Sequence, residues 1–167
     1  MPALDRETAL VQNPALGAAI LWRFSCAYDD ASKATPCVLP LVYLVLPLVF
    51  HEETAEVALG TRTETGLRGF VNKFTMTEIA KTDLLPRLGE RAIEMRGLTK
   101  DSLQLALQSH LLAIQPRTAS VFPVTKTAAR TGFSTAIRRL FRAAEHFGGW
   151  IGEVSLYEVQ TTLGIRL

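Results

Sequence analysis

The uncharged run Ala34–Phe50, ATPCVLPLVYLVLPLVF, constrains this chain more than any other stretch. It is 17 residues long, interrupted by Pro36, Pro40 and Pro47, and closed by His51, Glu52 and Glu53. A segment this apolar must be buried. A membrane-spanning helix needs about 20 apolar residues and tolerates proline only where neighbours satisfy the freed carbonyl, so the run reads as the central core element of a soluble domain. Pro40 suits a helix start, whereas Pro47 removes one helical hydrogen bond and crowds the carbonyl four residues back. The pattern predicts a short buried helix over about 39–46, broken or kinked at Pro47, with His51 to Thr54 leading out.

The rest of the chain is consistent with one domain over residues 1–167. Its 48% hydrophobic and 20% charged content argues against disorder. Eight prolines and 11 glycines are spread along it rather than gathered into a linker. Residues 1–12 are expected to fray. They mix Asp5, Arg6 and Glu7 with short aliphatics, unlike a secretory leader, so the expected compartment is the cytoplasm, with no membrane partner. Cys26 and Cys37 form no CxxC pair and have no histidine at metal-ligand spacing; both are read as reduced, mostly buried thiols.

Local signals predict a mainly α fold with one small β-hairpin. Asn13 before Pro14 is a helix start, and Leu16, Ile20, Phe24, Ala27 and Tyr28 recur at helical spacing over 14–28. Trp22 lies off that stripe beside Ala15, Ala18 and Ala19, which implies a second buried face. Three short helices are expected over 65–112. The first is capped by Thr65; the second is capped by Asp83, with Leu84, Leu85, Leu88, Ala92, Ile93 and Met95 inward; the third is capped by Thr99. Leu112–Gln115 and 119–123 are two extended runs joined by Pro116, Arg117 and Thr118, a hairpin in the place of a wing. An amphipathic helix over 132–147 ending at Gly148 and Gly149, and a last short helix from Ser155 to Gly164, complete the order. The fold class is therefore a winged helix-turn-helix-like core, about residues 65–125, with flanking N- and C-terminal helices.

Charge is unevenly placed. Residues 1–101 hold 11 Lys/Arg against 13 Asp/Glu, 102–144 hold 6 against none, and 145–167 hold 1 against 3. The cations of the acid-free region and its hairpin, Arg117, Lys126, Arg130, Arg138, Arg139 and Arg142, are the candidate contacts to nucleic acid or to an acidic partner. The competing reading makes Arg138, Arg139 and Arg142 a solvated helix face near a C-terminus, where cations are favoured. Candidate anchors of a protein interface are Trp22, Phe24, Trp150 and Tyr157, set against the alternative that all four are ordinary core. His51 with Glu52 and Glu53 is the best acid/base grouping, but no HExxH is present and His110 falls on an expected leucine-rich helix. GxSxG, GxxxxGK[ST] and GxGxxG are also missing, so neither an enzyme nor a cofactor is expected.

Four stretches in order carry a family likeness: NPALGAAILWRF at 13–24, LPLVYLVLPLVFHEET at 39–54, GERAIEM followed by TKDSLQLALQSHLLAI, and FGGWIGEV followed by LYEVQTTLGIRL. In that order the chain resembles the middle component of bacterial three-component ABC systems, also similar to Lamassu-type accessory subunits. The resemblance implies a non-enzymatic, winged-helix-type adaptor between an SMC-like ABC ATPase and a third, variable effector protein. Such systems are linked to defence against phage and plasmids, and duplex DNA is reached through the complex. The alternative of a different class is a winged-helix transcription regulator that binds DNA directly, with affinity falling steeply as salt rises.

Overall fold

The computed structural model describes residues 13–76, 87–127 and 131–167. Helix α1 (Pro14–Ala31) is capped by Asn13, whose Oδ1 accepts from the backbone N–H groups of Ala15 (2.9 Å) and Leu16 (3.4 Å). It runs three residues beyond the expected end. The second buried face is present: Trp22 is 4% exposed, and Leu21 and Phe24 are fully buried.

The apolar run divides in two. Cys37–Val38 form a short strand, β1, and Leu39–Val49 form α2, with Leu41, Val42 and Leu44–Val49 all buried. Contrary to expectation, α2 passes through Pro47 unbroken. Pro47 lies two residues before the last helical residue, Val49; its missing N–H deprives only the Tyr43 carbonyl of a helical donor, and Phe50 N–H still closes on Leu46 O at 2.8 Å. The chain does not simply lead out afterwards, because Glu52–Leu59 form α3. His51 is its N-cap, Nδ1 accepting from Thr54 N–H, and Glu52 and Glu53 complement the N-terminal dipole.

A single 3₁₀ turn at Thr63–Thr65 precedes α4 (Gly66–Met76), which buries Leu67 and Phe70. Asp83, expected to cap the next helix, lies outside the described residues, as do Leu84 and Leu85. Helix α5 (Leu88–Glu94) turns Leu88 inward, but Ile93 is 75% exposed, against the expectation that it faces the core. Helix α6 (Arg96–Gln108) begins three residues before Thr99, which is fully buried inside it rather than capping it.

The hairpin is as read from sequence, β2 (Leu112–Gln115) and β3 (Ser120–Pro123), with Ala113 opposite Phe122 and Ile114 opposite Val121. It is not alone: Cys37 pairs with Val121 and Val38 with Ser120, giving an antiparallel sheet of order β1-β3-β2.

Helix α7 (Thr135–Gly152), capped by Ser134, starts later than expected and continues through Gly148 and Gly149. Tertiary contact explains this. A Cβ on Gly148 would lie 2.3 Å from the carbonyl of Phe24, and one on Gly152 would lie 2.7 Å from that of Tyr28. Glycine thus lets α7 lie directly on the backbone of α1, the two helices running in the same direction. Helix α8 (Leu156–Leu163) is capped by Ser155 and closed by Gly164 at φ 65°, as the sequence indicates. The core gathers around α1, which packs against α2, α6, α7 and β3. Among the described residues, no helix is long and apolar enough to cross a membrane.

Candidate interaction surface

The helices sort the candidate residues into core and surface. Phe24 is fully buried, and Trp22 donates its indole N–H to the Thr125 carbonyl at 2.7 Å. Trp150 is 2% exposed, stacks on Phe70 at 5.4 Å between ring centres, and donates to Thr63 O at 2.8 Å. These three aromatics are committed to the chain's own core. Tyr157, in the first turn of α8, is 76% exposed and lines a shallow cleft beside the Arg68–Glu158 ion pair (2.7 Å).

The cations divide as well. Lys126 bridges Asp29 (2.7 Å) and Asp30 (2.5 Å), whose hydrogen bonds raise its pKa and tie the segment after β3 to the end of α1. Arg139 pairs with Glu56 of α3. Arg117 is exposed in the hairpin turn, and Arg138 and Arg142 are exposed one turn apart on α7. Arg130 lies outside the described residues. Because α7 begins at Thr135, its arginines sit in the N-terminal half, not near a C-terminus. There the dipole disfavours cations, and no acid occupies the first turn.

His51 is engaged as a helix cap. Burial and the nearby Arg91 charge lower its pKa, opposed by Glu53. His110 is not helical: it follows α6 in a turn with φ 56°. A third histidine, His146, is half-buried with Nδ1 3.0 Å from Ala58 O, so its partner is backbone rather than another titratable side chain. Cys26 and Cys37 are both free thiols, pushed by burial up to about 11 and about 12. Among the described residues no three His, Cys, Asp or Glu side chains are grouped to hold a metal ion.

Compared with known families, the sequence matches Middle Component 3 of the ABC-three component (ABC-3C) systems over residues 1–167. The chain belongs to this family. Neither a curated protein nor a solved structure gives a match.

A Middle Component 3 protein is one part of a multi-component system, and its surface is where that membership must be expressed. One concavity of this ABC-3C component escaped the sequence reading. A cleft of about 510 Å³ lies between α2, α5, the first residue of α6 and the C-terminal residues. Gly89, Ala92, Ile93 and Arg96 line one wall at i, i+3, i+4 and i+7. That spacing was the available signal: a second stripe alongside Leu88, Ala92 and Met95. Taken as one face, the two stripes would turn Ile93 inward, whereas it is exposed.

Proposed function

We propose that this Middle Component 3 protein is a non-enzymatic adaptor that bridges an SMC-like ABC ATPase and a variable effector in a bacterial system of defence against phage or plasmids. Its core is a winged-helix arrangement used for docking. The topology supports that reading: a helix (α1), a two-residue strand (β1), further helices ending in α6, then the hairpin whose inner strand pairs back to β1. In this frame α6 is the helix a DNA-reading relative would lay in the major groove.

The observation that carries the adaptor reading is the chemistry of the exposed face of α6. It presents Arg96 and, one turn on, Lys100 beside Asp101, followed by Gln104 and Gln108, a net of only one positive charge. A groove-reading helix works against a polyanion and draws most of its affinity from Lys and Arg on phosphate. Two of the cations beyond the hairpin, Lys126 and Arg139, are already neutralised by Asp29, Asp30 and Glu56.

Co-purification with the ABC ATPase and the third component of the same system tests the proposal, paired with a duplex DNA titration of the free protein at low and moderate salt. A stable complex with weak, sequence-independent DNA binding is the expected result. No complex, together with tight and salt-sensitive binding to one defined duplex, would replace the adaptor by a transcription regulator acting through Arg117, Arg138 and Arg142.

A further inference from the structure

Resting on the adaptor reading, we infer that the cleft between α2, α5 and the C-terminal residues docks a short acidic segment of a partner protein that carries large apolar side chains. Tyr43, Leu44, Ala92 and Ile93 supply an apolar floor, Arg96 and Arg166 stand with them, and among the described residues no Asp or Glu lines the cleft. Ile93 is 75% exposed although its helix buries Leu88 completely, so a large aliphatic side chain is held at the mouth of a concavity. Arg96 is the first residue of α6, where the helix dipole disfavours a cation, and the preceding Met95 offers no capping side chain. An incoming carboxylate relieves that repulsion and pairs with the guanidinium in one contact.

Two guanidiniums, with no Asp or Glu among the described lining residues, favour an anionic occupant. The apolar floor then separates the anions: a protein segment brings aliphatic or aromatic side chains to cover Ile93 and Leu44, whereas duplex DNA presents a phosphate backbone. A volume of about 510 Å³ accommodates a few side chains rather than a folded domain.

Fluorescein-labelled overlapping peptides spanning the other two components of the system, titrated by anisotropy against the full chain, test this directly. Acidic peptides bearing a large apolar residue are expected to bind. Ile93→Asp and the pair Arg96→Glu/Arg166→Glu are each expected to weaken them by about tenfold or more, while Lys33→Glu/Arg62→Glu, outside the cleft, leaves binding unchanged. All these positions are exposed, so unchanged thermal unfolding checks that the fold is kept. The assignment is overturned if no acidic peptide binds, if the cleft variants bind equally well, or if a mixed-sequence DNA duplex is what Arg96→Glu/Arg166→Glu releases. Co-purification of the unmodified proteins reads the adaptor proposal separately: a complex that forms while the peptides ignore the cleft removes this docking site and leaves the adaptor standing.

Discussion

Trp22 and Thr125 are joined across 103 residues by a hydrogen bond from the indole N–H to the backbone carbonyl, 2.7 Å long and partly buried. The same carbonyl lies 3.7 Å from the Cys26 thiol sulfur. One atom of the segment after the hairpin is thus gripped by two side chains one turn apart on α1. Trp22→Phe keeps most of the ring's packing and removes the stronger donor. It is expected to cost about 1–2 kcal/mol, read as a lower urea midpoint with unchanged slope.

The glycines of α7 make opposite predictions for neighbouring positions. Gly148→Ala drives a methyl to 2.3 Å from the Phe24 carbonyl, a backbone atom that cannot swing aside, and is expected to destabilise by about 1–3 kcal/mol or more. A Cβ on Gly149 meets nothing within 4 Å, so Gly149→Ala is expected to stabilise by about 0.5–1 kcal/mol through helix propensity alone. Equal effects in thermal denaturation would count against the direct contact of α7 with α1.

His51 couples stability to pH on the acid side. Its ring nitrogen accepts from Thr54 N–H only when unprotonated, and burial lowers its pKa below the ordinary 6.5. The unfolded chain therefore binds a proton that the folded chain resists. The contribution is present above pH 6.5 and is lost as pH falls through the folded value. His51→Asn keeps a capping acceptor that does not titrate, so its denaturation midpoint should vary less than the parent's across about pH 5 to 8.

The Cys37 thiol couples stability to pH on the alkaline side. Burial raises it from 9.0 to about 12, so above pH 9 the unfolded chain releases a proton that the folded chain keeps. Stability is full below pH 9 and falls as pH climbs toward 12. Tyr28, raised from 10.0 to about 12, adds to the same fall over the upper part of that window. Cys37→Ala should reduce the alkaline loss measured by denaturant midpoints, leaving the parts due to Tyr28 and to Cys26, whose thiol burial raises to about 11.

Local chemistry made much of this architecture readable. Asn13–Pro14 marks the start of α1, Pro116 and the flanking short apolar runs mark the hairpin, and Ser155 with Gly164 brackets α8. Features created by contact were not readable. Two residues, Cys37 and Val38, become a strand only because Val121 and Ser120 lie beside them. Gly148 and Gly149 signal a helix end by propensity, yet the surface of α1 carries the helix three residues further to Gly152. The interface candidates show the same limit. The sequence gives Trp22, Phe24 and Trp150 the same aromatic character as Tyr157, and only the packing separates three buried rings from one exposed. Ile93 is the converse, an apolar residue on a helix that also has a genuine inner face.

The direct contact of α1 with α7 also sets an order of events at the ribosome. Leu16, Ile20, Leu21 and Phe24 emerge before α7, and part of their cover, the Phe141–Gly152 stretch of that helix, is translated more than a hundred residues later. Until then α1 is a sticky amphiphile looking for a surface, and the long loop its pairing must close slows the search. Nascent chains stalled before α7 should recruit chaperones or aggregate, and a fragment lacking the last quarter of the sequence should not hold its N-terminal helix in place. This small protein is thus committed to folding late and all together.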